Sequence, residues 1–177
     1  MCSHNNACKP SAAFSIRFSA LRHCGFSSRM CIREDFMGTI NRANLAVLVV
    51  DDQMIARNHV KQNLVSMGFA DIDLASTSTE AEEKVAGKNY DIIFCDWHMP
   101  GKSGFAMMQA FRQEREFDHV AFVMVTAESE ERHMVEALKA GATSYILKPI
   151  LPQPFQAKVE NVLQWIAKVN PKYKCIP

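Results

Sequence analysis

No run of apolar residues approaches the ~20 that a membrane-spanning helix needs, so the sequence offers no candidate span. An excess of either charge is also missing: 20 Lys and Arg stand against 19 Asp and Glu. Beyond Asn44 the balance is mildly acidic, at 17 carboxylates to 14 cations. Such a domain has no basic footprint for a polyanion, and we expect no nucleic-acid partner. The six cysteines include no C-x-x-C pair and no histidine at metal spacing. They read as reduced thiols in a cytoplasmic protein, not as a disulfide framework or a zinc site.

What is present is enough for one domain with some to spare. Of 177 residues, 48% are hydrophobic and 22% charged, so a real core can be buried. Residues 1–44 stand apart. They show neither helical nor strand periodicity, and they carry Lys9, Arg17, Arg22, Arg29, Arg33 and Arg42 against Glu34 and Asp35. They lack the apolar stretch of a secretory signal. We expect an N-terminal extension that is poorly ordered and dispensable for function, with translation from Met37 as one explanation. A folded domain is expected over 45–169 and a short tail over 170–177.

From Leu45 a regular alternation begins. Leu45 to Val50 is an unbroken apolar run that suits a strand covered on both faces. Met54 to Met67 carries a helical stripe of Ile55, His59, Val60, Leu64 and Met67, closed by Gly68. Strands are then expected at Ile72–Ala75, Asp91–Cys95, Val120–Val125 and Ser144–Leu147. Helices are expected at Thr79–Ala86, capped by Ser78 or Thr79, then at Gly104 to about Arg115, Glu130–Ala140 and Pro154 to about Lys168. Five strand–helix units with short connections predict an α/β fold, a doubly wound parallel sheet with helices on both faces.

In such a sheet ligands bind at the carboxyl edge of the strands. Four of the five expected strands end there in a reactive polar group: Asp51-Asp52, Asp96, Thr126 and Lys148. A single Asp after a strand is commonly a turn residue. Four such ends on one edge are not explained by turns. Carboxylates held together must take up protons or bind a cation, and hard oxygen donors suit Mg²⁺. A carboxylate is also a nucleophile towards phosphorus. With an ammonium and a hydroxyl to hold phosphoryl oxygens, the set can transfer a phosphoryl group without any nucleotide-binding loop.

Four strings carry a resemblance: Val49-Val50-Asp51-Asp52, Asp96-Trp97-His98-Met99-Pro100-Gly101, Met124-Val125-Thr126-Ala127-Glu128 and Tyr145-Ile146-Leu147-Lys148-Pro149. Their key residues are spaced by 44 (Asp52 to Asp96), 30 (to Thr126) and 22 (to Lys148). The chain from about Leu45 to Lys168 resembles the receiver domain of two-component response regulators, chemotaxis regulators above all. The resemblance implies a flavodoxin-like sheet of strand order 2-1-3-4-5 and phosphorylation at Asp96 by a histidine kinase or phosphotransfer protein. It implies Mg²⁺ held by Asp52, Asp96 and the His98 backbone carbonyl, with Asp51 acting through water. Lys148 would pair with the phosphoryl group, next to a cis bond to Pro149. Thr126 and Tyr145 would form the switch, and the target protein would bind the face made by the fourth helix, fifth strand and fifth helix, a flagellar motor component being one candidate. The usual Asn two residues past the phosphorylated Asp is His98 here, so His98 and Glu128 would tune dephosphorylation.

Without the resemblance, Tyr145 reads as strand packing, Trp97 as a partly exposed filler, and Met99, Met107 and Met108 as core and rim. A Mg²⁺-dependent phosphatase with an Asp nucleophile would need an Asp-x-Asp motif on the first strand, which carries adjacent acids instead. A phosphorelay intermediate or phosphate sink without a motor target remains the alternative role. The chain runs about nine residues past its last expected helix, so output by protein binding is expected.

Overall fold

The computed structural model describes residues 40–127 and 131–173. The expectations for residues 1–39 and for Glu128 fall outside them. Five strands, β1 (Ala46–Val50), β2 (Asp71–Ala75), β3 (Ile92–Cys95), β4 (Ala121–Thr126) and β5 (Ser144–Leu147), alternate with five helices. These are α1 (Met54–Ser66), α2 (Ser78–Gly87), α3 (Gly104–Phe111), α4 (Glu131–Lys139) and α5 (Pro152–Val169). All pairings are parallel, and the order β2-β1-β3-β4-β5 is the one expected.

The unbroken apolar runs of β1, β3 and β4 are buried at every position, as strands sandwiched between helical layers require. Alternate residues serve opposite cores. Val47, Val49, Phe94 and Val123 face α1 and α5, meeting Val60, Leu64, Phe155, Val159 and Ile166. Leu48, Val50, Ile93 and Met124 face α2, α3 and α4, meeting Ala81, Met107, Met108 and Ala137. Phe94 stacks on Phe155 at 5.7 Å between ring centroids, tying α5 to the sheet centre.

Several local expectations needed correction. Ile55, assigned to the buried stripe of α1, is 80% exposed, because the helix turns that position away from β1. The cap of α2 is Thr77, whose Oγ1 accepts from Glu80 N at 3.1 Å, while the Glu80 carboxylate accepts from Ser76 N and Oγ. This reciprocal arrangement satisfies donors at both ends of the turn. The third helix stops at Phe111, short of Arg115. There Arg112 turns back and donates to the carbonyls of Gly141, Phe117 and Val120, holding the chain in a tight turn before β4.

Folded structure reaches slightly past the expected 45–169 span. Arg42 donates to Met67 O at 3.0 Å and pairs with Glu160 on α5. Asn170 is buried, with its Nδ2 3.3 Å from Asp91 Oδ1.

Candidate functional site

Strand register brings the polar ends together. Val50 pairs with Cys95 and Cys95 with Met124, so Asp51 and Asp96 leave the sheet side by side. Asp96 N donates to Val50 O at 2.9 Å. Thr126 lies opposite Leu147, and Lys148 N donates to Thr126 O at 2.8 Å. Asp51, Asp96 and Lys148 are thus each placed by a backbone bond at the edge of the sheet, Asp51 N donating to Ala75 O at 3.2 Å.

The side chains converge as their strand positions require. Carboxylate oxygens of Asp51, Asp52 and Asp96 lie within 4.8 Å of one another. Asp51 and Asp96 are buried, and Asp52 faces solvent. Lys148 Nζ sits 2.7 Å from Asp51 Oδ2 and 3.2 Å from Asp96 Oδ1. Burial pushes the Asp96 carboxyl above its ordinary range, and the neighbouring Lys148 charge opposes the rise without cancelling it. For Lys148, burial works to lower the pKa. The hydrogen bond to Asp51 and the charges of Asp96 and Asp51 outweigh it, holding the ammonium above its usual value.

Three acids facing one ammonium leave net negative charge in a half-buried cleft. All-oxygen donors at these separations fit a small hard cation such as Mg²⁺, with solvent reaching the Asp52 side. The His98 backbone follows two residues after Asp96, in the loop leading to α3, and its imidazole is exposed. The Lys148–Pro149 peptide bond is cis, as the resemblance implied. Thr126 and Tyr145 are both buried; Thr126 closes β4 opposite Leu147, and Tyr145 lies second in β5, paired with Met124. Trp97 is buried as well, at 8% exposure. It stacks on Phe105 with centroids 4.3 Å apart and planes 7° apart, which corrects its reading as a partly exposed filler. Met99, Met107 and Met108 are packing residues, as expected.

Two supporting residues escaped the sequence reading. Arg57, one turn into α1, donates from one guanidinium nitrogen to the backbone carbonyls of both Asp51 and Asp52. Gly104 opens α3 so close to the end of β3 that an added Cβ would lie 1.9 Å from the Asp96 carbonyl oxygen and 2.3 Å from Cys95 Sγ. The sequence signals for both were faint: one Arg on a helix face, and one Gly at a helix start.

Comparison with known proteins agrees with this geometry. The family profile described as the response regulator receiver domain matches residues 47–160. The chain belongs to that family, the phosphoacceptor switch modules of two-component signalling. Chemotaxis protein CheY of Pseudomonas aeruginosa is 32% identical over 120 residues, covering 68% of this chain and 97% of that protein. The CheY homolog of Campylobacter jejuni is 35% identical over 121 residues, covering 67% and 92%. Among solved structures, a CheY-like receiver domain protein from Methanospirillum hungatei superposes with a TM-score of 0.63 at 26% identity, covering 70% of this chain and 97% of that one. Vibrio cholerae CheY4 gives a TM-score of 0.57 at 28% identity, covering 71% and 98%.

Proposed function

We propose that this protein is a CheY-type switch that accepts a phosphoryl group on Asp96 from a histidine kinase or phosphotransfer protein and signals, in chemotaxis or motility, by binding a target protein. The observation that carries the reading is the position of Lys148, within ion-pair distance of both Asp51 and Asp96 beneath a cluster of three carboxylates. A structural ion pair would not need a third acid held against the other two.

In the transfer step an Asp96 carboxylate oxygen attacks the phosphorus of the donor. A P–O bond forms, the P–N bond to the donor histidine breaks, and its electron pair returns to the imidazole. Lys148 and the Thr126 hydroxyl hold phosphoryl oxygens as charge builds on them, which is most of what phosphoryl transfer asks of a protein. Asp52, Asp96 and the His98 carbonyl would ligate Mg²⁺ directly, with Asp51 acting through water. When bound, the ion neutralises charge between the carboxylates and the incoming phosphoryl group. Only this chain's own phosphorylation and dephosphorylation are catalysed, with His98 and Glu128 setting the lifetime of the acyl phosphate.

Thr126 and Tyr145 carry the signal outward. Movement of Thr126 towards the phosphoryl group opens space into which Tyr145 rotates, shifting the balance between two packings of α4, β5 and α5. Support comes from an exposed apolar set on that face: Leu138 (46% exposed), Leu147 (40%) and Leu151 (58%). Docking a target there would bury these side chains. No described helix is long and apolar enough to cross a membrane. We place the protein in the cytoplasm, with residues 45–169 as the body of the receiver and Arg42 and Asn170 packed against it.

The test is incubation with acetyl phosphate, or beryllofluoride, and Mg²⁺, followed by intact mass or Trp fluorescence. The wild type gains one phosphoryl mass and Asp96→Asn gains none. A wild type that stays unmodified, with no spectral response, would sink the reading.

A further inference from the structure

The loop that carries Asp51 and Asp52 leaves β1 and turns into α1 within three residues. Its own bonds are few. Asp51 Oδ1 accepts from Gln53 N at 2.9 Å, which closes a small turn. That bond occupies one oxygen of a carboxylate whose other oxygen meets Lys148 at 2.7 Å. The Gln53 side chain does not cap α1, and the first turn of the helix holds no acid. From the sheet side Asp51 N donates to Ala75 O at 3.2 Å, and from the helix side the loop is held by Arg57. Its Nη1 reaches back over the first turn of α1 to the Asp51 carbonyl and, at 3.2 Å, to the Asp52 carbonyl.

We propose that Arg57 is a positioning residue for the cation site: by tethering both carbonyls it fixes the peptide planes from which the Asp51 and Asp52 carboxylates project. The inference rests on the reading of the carboxylate cluster as a divalent-cation site. Groups that orient metal ligands without touching the metal commonly govern affinity by about ten- to a hundredfold. The carbonyls bonded to Arg57 belong to the very residues whose side chains converge. The amides of Asp51 and Asp96 are held alike, by the Ala75 and Val50 carbonyls, whereas Arg57 acts on the carbonyls of Asp51 and Asp52.

The sign of the effect separates positioning from simple electrostatics. Arg57 is a cation near a cluster meant to bind a cation, so its charge alone opposes binding. If charge were its whole contribution, Arg57→Met would bind the ion more tightly. If Arg57 positions the loop, the same change weakens binding despite removing a like charge.

The experiment uses the full chain and Mn²⁺ as the probe, with free ion counted by electron paramagnetic resonance and Mg²⁺ added in competition. Wild type should bind one ion. Arg57→Met should raise Kd about tenfold, and Arg57→Lys, which keeps the charge but changes the reach and direction of the donor, should fall between them. Thermal midpoints in EDTA show whether each variant is folded before its Kd is compared. Should Arg57→Met prove unfolded, the charge-conserving Arg57→Lys decides alone. Unchanged or tighter binding by a folded variant overturns the positioning role. Absence of binding by the wild type would instead overturn the cation-site reading, and a saturable wild type with an unaffected variant would overturn only the inference.

Discussion

Replacement of Gly104 by Ala should damage this protein far more than a single methyl suggests. The new Cβ would lie 1.9 Å from the Asp96 carbonyl oxygen and 2.3 Å from Cys95 Sγ. The nearer obstacle is backbone in the loop that follows β3, so no side-chain rotation relieves it. Gly104 N also donates to Trp97 O at 3.1 Å, so moving α3 outward breaks the bond that seats the helix on that loop. Overpacking of this kind costs about 1–3 kcal/mol, and a clash against backbone belongs at the upper end. With about 2–4 °C of midpoint lost per kcal/mol in a chain of this size, Gly104→Ala should melt about 6–12 °C below wild type. Circular dichroism melts measure this, and acetyl phosphate incorporation at a temperature where both proteins are folded measures the effect on Asp96. Trimming the farther obstacle with Cys95→Ala should not restore the double variant, because the carbonyl clash remains. A melting curve for Gly104→Ala that overlays the wild type, or full rescue by the Cys95 change, would refute the reasoning.

Three further outcomes follow from the same geometry. Lys148→Met leaves Asp51 and Asp96 buried without their shared ammonium, and should slow phosphorylation by about a hundredfold, the usual cost of one preorganised stabiliser; an unchanged rate with acetyl phosphate would contradict its role. Phe155→Ala removes the ring stacked on Phe94 beneath the sheet and should cost about 3–5 kcal/mol in urea unfolding, with phosphorylation of the folded fraction retained. Asp73 and Tyr90 give opposite pH signatures. The hydrogen bond from Lys88, against the opposing effect of burial and with help from Tyr90, holds Asp73 below 3.8, so its contribution is full above that pH and is lost as pH falls through the lowered value. Burial, then the hydrogen bond to and charge of Asp73, push Tyr90 up to about 12, so its contribution is full below 10.0 and fades as pH rises through 12. In Tyr90→Phe the alkaline limb should shrink, Tyr173, Lys88, Lys148 and Lys172 still contributing to it, and the acid limb should shift to higher pH, as read by stability against pH.

The sequence by itself determined the layer order and the identity of the polar groups at the carboxyl edge of the sheet. Unbroken apolar runs at 46–50 and 121–125 could only be doubly covered strands. Acids, a hydroxyl and an amine at their carboxyl ends could only gather on one edge. Both signals are local, because a strand's burial and its terminating residue are written in consecutive positions. The distance from Lys148 to two carboxylates then followed from parallel register.

Tertiary structure alone decided what depends on how one element approaches another, whatever their separation in sequence. Trp97 looked like a loop filler until Phe105 stacked on it, and Ile55 looked like core until α1 turned it to solvent. Arg112 ends α3 because carbonyls from three later residues, Phe117, Val120 and Gly141, come within its reach. Gly104 had to be glycine because the Asp96 carbonyl lies where a Cβ would be, and Arg57 meets the acid loop only once the first turn of α1 has wound. Periodicity encodes which face of an element is buried. It carries no record of which atom waits on the other side.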